Sequence, residues 1–147
     1  IQKATELGVS KIILCITEFT DNKKINIKNL QDNAVEAAEQ SERLDLPQIE
    51  NPIDLLSLLS NWPKDRVLIF CDEKLDCEKK IIDSLRSFKS EQGKFAVLIG
   101  PEGGFSDAER NEIIKNKKVL PVSLGKRILR SDTAISVALF CIQDLFS

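Results

Sequence analysis

The sequence has no histidine and no methionine among its 147 residues. Without histidine, Ser-His-Asp triads and histidine-ligated zinc sites are excluded. Without methionine, and with a helical pattern over residues 2–7 already under way at the start and ended by Gly8, the reading is of a trimmed fragment. Cysteines number four, Cys15, Cys71, Cys77 and Cys141, and none forms a C-x-x-C pair. Reduced structural thiols in a cytoplasmic protein are expected. No apolar run approaches membrane-spanning length, no signal peptide is visible, and repeats, low-complexity segments and linkers are lacking. One domain with a sizeable core is expected.

A large excess of either charge is also lacking. The net charge is −2, without the basic excess usual in nucleic-acid binders. Its distribution is uneven: residues 94–147 hold 8 of the 21 cations and 6 of the 23 anions, a balance of +2 against −4 for the rest. Two phosphate motifs are missing. Gly93-Lys94 and Gly125-Lys126 lack the earlier glycine and the following Ser/Thr of a Walker loop, and Gly100 is followed by Pro101-Glu102 rather than the x-Gly of a dinucleotide fingerprint.

Strand and helix patterns alternate. Strands are expected at 11–16, 48–50, 66–71, 95–99 and 119–123, and helices at 29–43, 53–59 and 77–88, with Pro52 at the first position of the second. Polar turns are expected at 20–24 and 90–94, and a loop at 61–65. Leu30, Ala34, Ala37, Ala38 and Ser41 give the 29–43 helix a small-residue face. Pro121 argues for an edge or a strand start. This alternation indicates an α/β domain with a mostly parallel sheet.

The chain is organised around two loops. The first, Gly100-Pro101-Glu102-Gly103-Gly104-Phe105, follows the apolar run 95–99 and precedes a helix that Ser106 and Glu109 cap reciprocally. Its glycines allow close backbone approach to a ligand, or simply a tight turn. The second runs from Leu124 to Ala134 and brings Lys126, Arg127 and Arg130 together, as a solvated loop or a phosphate site. Ser131, Asp132 or Thr133 is expected to cap the last helix, whose apolar face is Ile135, Ala138, Leu139, Ile142, Leu145 and Phe146, facing core or a second subunit. Ligands of open α/β sheets sit beyond the carboxyl ends of strands, which groups both loops with Asp72-Glu73. That acidic pair reads as a satisfied loop carboxylate or, less commonly, a phospho-acceptor or metal site.

The Gly100–Phe105 hexapeptide, together with Leu124-Gly125-x-Arg127-Ile128-Leu129-Arg130-x-x-Thr133-Ala134, resembles the RsmE family of bacterial 16S rRNA (uracil-N3)-methyltransferases. Lys3-Ala4-Thr5-Glu6-Leu7-Gly8-Val9 and Glu36-Ala37-Ala38-Glu39-Gln40-Ser41-x-Arg43 match in the same order. Glu42 stands where glycine is usual, and Ser131-Asp132 replaces Thr-Glu.

The resemblance implies a SPOUT-type α/β fold: a mostly parallel sheet with helices on both faces and a C-terminal trefoil knot, spanning 1–147, with an N-terminal PUA-like RNA-binding domain absent from this fragment. It implies S-adenosylmethionine (SAM) as cofactor, held by Ile99, Gly100, Gly104, Leu124, Gly125, Ile128, Leu129, Thr133 and Ala134. It implies 16S rRNA of the small ribosomal subunit as partner, a homodimer, a cytoplasmic setting without membrane or metal, and methylation of uridine N3. A ribose 2′-OH methyltransferase of the same superfamily and a non-catalytic RNA-binding or assembly module are the alternatives. N3 of uracil is nucleophilic only as its anion, so a proton must be removed and charge stabilised on the flanking carbonyls. Arg130, with its permanent planar charge, is the candidate for anion stabilisation or phosphate orientation. Glu102 is the candidate base, or an organiser of its own loop.

Overall fold

Val67-Leu68-Ile69-Phe70 has no polar residue in alternate positions, so a strand built from it must be covered on both faces. In the computed structural model, which describes residues 1–21, 24–74, 78–88 and 93–147, that run is the heart of β3 (Arg66–Cys71). It pairs in parallel with β4 (Lys94–Leu98) on one side and β5 (Val119–Val122) on the other. Leu68 and Phe70 point to one face, where Leu55 and Leu59 of α3 (Leu55–Ser60) and Ile113 of α5 (Asp107–Lys115) cover them together with Phe105. Ile69 points to the other, against Ile81 and Leu85 of α4 (Ile81–Ser87) and Ala138 and Cys141 of α6 (Ser131–Phe146). One central strand therefore serves two cores, and complete burial of Ile69 and Phe70 stabilises the fold by about 1.5–3 kcal/mol each.

The remaining strands form a second parallel sheet. β1 (Lys11–Ile16) pairs with β2 (Gln48–Asp54). All described strand pairs are parallel and helices lie on both faces of the three-stranded sheet, but the strands divide into two sheets rather than one. Pro52, expected to open a helix, lies inside β2. The pairing steps from Ile13↔Glu50 to Cys15↔Ile53, so Asn51-Pro52 fall at a bulge where the missing N–H breaks no ladder bond. The helix begins at Leu55 instead, because the Asp54 carboxylate accepts the Ser57 N–H at 2.9 Å.

α1 (Gln2–Glu6) packs against α2 (Ile27–Gln40) and α6. The small face of α2 buries Ala34, Ala37 and Ala38, whereas Ser41 becomes the C-cap. This helix starts two residues before the expected 29 because Asn26 caps it through the Asn29 N–H, and it ends at 40. Glu42 then takes a left-handed φ of 58°, a conformation in which glycine carries no steric cost; this explains the glycine usual there. Arg43 follows, its side chain only 11% exposed. Its Nη1 donates to Thr5 O and its Nη2 to Val9 O, both at 2.9 Å, and its Nε to Asp45 Oδ1 at 2.8 Å, tying the ends of α1 and α2 to the entry of β1.

Other expected limits shift by a residue or more. α4 starts at 81, not 77, and Cys77 lies outside the described residues. The expected turns at 20–24 and 90–94 also fall partly outside them, at 22–23 and 90–92. Pro121 sits on β5, an edge of the three-stranded sheet, as expected. On α6 the buried residues are Ala134, Ala138 and Cys141, with Val137, Ile142 and Leu145 packed beside the core; Ile135 and Leu139 stay half-buried. No helix among the described residues is long and apolar enough to cross a membrane.

Candidate functional site

Because β3, β4 and β5 run parallel, their carboxyl ends share one edge, and the loops that follow them meet there. Asp72–Lys74, Ile99–Phe105 and Ser123–Arg130 surround a cavity of ≈ 300 Å³, at the lower end of the range for small-molecule sites.

The glycine-rich loop is shaped by contacts a larger residue would spoil. Gly104 has φ +71°, and its N–H donates to Pro101 O at 2.8 Å, closing a tight turn. A Cβ on Gly100 would lie 2.8 Å from the Phe105 ring, and one on Gly103 would lie 3.1 Å from Cβ of Phe19. The Phe105 ring is buried and meets Phe70 edge-on, centroids 5.5 Å apart. Beyond it the expected capping box is present: Glu109 N–H donates to Ser106 Oγ at 3.2 Å, and Ser106 N–H to Glu109 Oε1 at 3.1 Å. The other oxygen of Glu109, a buried side chain, accepts the Glu18 N–H at 3.0 Å. The loop is thereby fastened to the segment after β1.

The second loop leaves β5 through Ser123, whose buried hydroxyl accepts the Gly125 N–H at 3.2 Å while Gly125 adopts φ +119°. Leu129 is half-buried; Arg127, Ile128 and Arg130 are exposed. The cap of α6 differs from expectation. Arg130, not Ser131, Asp132 or Thr133, holds the N-cap position, and it does so by its backbone alone, Ala134 N–H donating to Arg130 O at 2.8 Å.

The cavity brings together Ile99, Gly100, Glu102, Gly104, Leu124, Gly125, Ile128, Leu129, Arg130 and Ala134. Thr133 and, among the three loop cations, Lys126 are not on the wall; Thr133 is exposed in the first turn of α6. Asp72 is a satisfied carboxylate. It is buried, paired with Arg110 through Nη2 at 2.7 Å and Nε at 2.8 Å, and accepts the Lys74 N–H at 3.0 Å. No cluster of metal-ligating side chains occurs among the described residues.

Arg110 was not singled out by any motif. Its one signal is position: four residues after the N-cap Ser106, at the end of α5 that faces the glycine loop. Cys71 also lines the cavity. Burial pushes its thiol up to about 12, with the neighbouring Cys141 adding to the shift, so it is protonated and no nucleophile at neutral pH. The resulting site has apolar walls, glycines whose missing side chains leave room for a ligand, and exposed Lys74, Arg127 and Arg130 along it, where they suit phosphate.

Comparison with known proteins converges on one group. A family model described as RNA methyltransferase domain matches residues 1–143. The chain is 34% identical over 147 residues to the ribosomal RNA small subunit methyltransferase E of Rickettsia conorii, covering 100% of the chain and 59% of that relative. The same-named enzyme of Neisseria gonorrhoeae, solved bound to S-adenosylmethionine, superposes with a TM-score of 0.78 at 28% identity, over 98% of this chain and 58% of that one. A Legionella pneumophila protein solved with bound SAM gives a TM-score of 0.78 at 31% identity, over 97% and 58%. The chain thus spans about three fifths of the length of these proteins.

Proposed function

The chain belongs to the RNA methyltransferase domain family, and from that premise we propose that it methylates N3 of a specific uridine in 16S rRNA of the small ribosomal subunit, with SAM as methyl donor. The observation that carries this reading is the meeting of both motif-bearing loops in one cavity at the carboxyl edge of a parallel sheet. Residues 1–147 are, in this proposal, the SPOUT methyltransferase domain, with its C-terminal trefoil knot, acting in the cytoplasm as a homodimer. Ile128 and Phe140, 81% and 61% exposed, are apolar surface available to a second copy.

The residues present fit the cofactor. Ile99, Leu124, Ile128 and Leu129 provide apolar wall for an adenine ring, and Gly100, Gly104 and Gly125 put no side chain into the space; beyond the chain neighbours of Gly125, no protein atom lies within 4 Å of a Cβ placed on it. Ala134, buried at the start of α6, closes the floor. Thr133 lies outside this wall, one residue before Ala134. When bound, SAM supplies an electrophilic methyl carbon on a sulfonium.

The protein's own groups do the rest. The cavity holds donor and acceptor in line, converting a bimolecular step into a local one. Glu102, exposed on the wall, takes the N3 proton of uracil. Arg130 at the mouth stabilises the charge left on the flanking carbonyl oxygens, or orients a neighbouring phosphate.

Titration calorimetry with SAM and with its demethylated product tests the pocket: micromolar binding, about 8 kcal/mol, is expected. Nucleoside analysis of 16S rRNA incubated with protein and SAM then tests the reaction. 3-Methyluridine is expected. A 2′-O-methyl nucleoside would replace the N3 reading with ribose methylation, and RNA binding without SAM binding would leave an assembly module.

A further inference from the structure

The Asp72–Arg110 pair is built into the cavity wall and is unused by the chemistry described so far. Both guanidinium contacts of Arg110, Nε at 2.8 Å and Nη2 at 2.7 Å, converge on a single oxygen, Asp72 Oδ2. The other oxygen, Oδ1, is taken by the Lys74 N–H. Arg110 Nη1, with two N–H groups, has no hydrogen-bond partner among the described residues. The pair is also layered: the Asp72 side chain is 4% exposed and that of Arg110 is 27% exposed, so carboxylate lies behind and guanidinium in front. The positive end of a buried ion pair thus borders the cavity, its orientation fixed by the end of β3.

We infer that Arg110 is a binding residue for the carboxylate at the amino-acid end of the cofactor. This rests on the SAM reading above and adds a specific contact to it. A guanidinium held on one edge by a fixed carboxylate keeps its second edge preorganised, so a ligand carboxylate meets it without further ordering cost. Partial enclosure favours a small ligand over an RNA backbone, for which the exposed Lys74 and Arg127 at the mouth are placed. Glu73, on the same wall, offers the opposite charge to the ligand's ammonium group. An amino-acid zwitterion is therefore met by both signs within one short stretch.

The test compares two probes: S-adenosylhomocysteine and 5′-methylthioadenosine, which keeps the adenosine and thioether but lacks the amino-acid carboxylate. The protein variant is the neutral pair Asp72→Asn/Arg110→Gln, which retains a hydrogen bond across the buried contact. It should bind methylthioadenosine within about twofold of wild type and S-adenosylhomocysteine at least about tenfold more weakly, the loss expected for one charge-assisted hydrogen bond. Methylthioadenosine binding doubles as the check that the site is folded. Should that variant melt, Arg110→Lys serves: it keeps a cation on Asp72 but removes the second planar edge, and the same selective loss is expected. Equal losses for the two probes, or none, overturn the inference while leaving the cofactor site intact. Failure of the wild type to bind either probe overturns both.

Discussion

Gly100→Ala isolates the packing of the glycine-rich loop. Unlike Gly104 and Gly125, Gly100 has no positive φ, so alanine meets no backbone penalty there and the effect is steric. The added methyl would stand 2.8 Å from Cε2, 3.2 Å from Cζ and 3.3 Å from Cδ2 of Phe105. Phe105 cannot simply swing away: its ring is buried, edge-on to Phe70, and packed with Leu98 and Ile113. Overpacking of this kind costs about 1–3 kcal/mol. For a domain of this size the melting temperature should fall by about 3–10 °C. The assay is a double-mutant cycle by thermal or urea unfolding. Phe105→Leu removes the ring edge at a cost of about 1 kcal/mol on its own. The double variant should then lose less than the sum of the two, with a coupling of about 1 kcal/mol or more. Strict additivity would refute the contact. A rise in stability with Gly100→Ala would refute the claim that the loop has no room.

Arg43→Ala should destabilise by about 1–3 kcal/mol in urea, because Val9 O loses its guanidinium donor and Thr5 O keeps only the Gly8 N–H; an unchanged midpoint would mean the α1 end is not held by that side chain. If the proposed reaction is correct, Arg130→Ala should leave the melting temperature and SAM affinity nearly unchanged, since its side chain makes no cap bond, but should lower methylation of 16S rRNA by about 100-fold or more. Normal turnover would remove Arg130 from the reaction. Burial raises the Cys71 thiol from its ordinary value of 9 to about 12 and Cys15 to about 11, so the folded chain keeps protons that the unfolded chain releases in between. Their stabilisation is complete below pH 9 and declines as pH rises towards 11–12. Wild type should therefore lose more stability between pH 8 and pH 10.5 than Cys71→Ser does, and an equal loss would contradict the burial of that thiol.

Local chemistry was legible where a single segment settles its own state. β1 and β3 have their expected limits because each is a short apolar run bounded by polar residues. The Ser106–Glu109 box is a four-residue pattern and appears as read. The gathering of the two loops follows from parallel strands, whose carboxyl ends must share an edge. Competition between two local signals was harder. Pro52 suits a first helical turn, but a bulge in β2 accepts it equally well and Asp54 supplies a stronger start. At the last helix three good capping side chains follow one another, and the helix begins on the backbone of Arg130 before any of them. Contacts between distant segments left no trace. Asp72 and Arg110 are 38 residues apart, and nothing in either neighbourhood specifies the other. The division into two sheets is likewise invisible in strand patterns, which record burial but not which strand lies alongside.

The second oxygen of Glu109 has a consequence for how the site comes into being. The Glu109 carboxylate joins the amide that opens α5 to the amide of Glu18, 91 residues before Glu109 in the chain, so the glycine-rich loop is expected to take its final geometry only once the β1 segment has docked. Closing so long a loop carries an entropic cost that must be met before the contact stabilises anything. Assembly of the pocket is therefore expected late in folding, with its local opening shared by two stretches remote in sequence. The amides of Glu18 and Ser106 belong to one cooperative unit and should exchange with solvent together. A ligand that settles against the glycine-rich loop would protect both, carrying its stabilising effect into the N-terminal third of the chain without touching it.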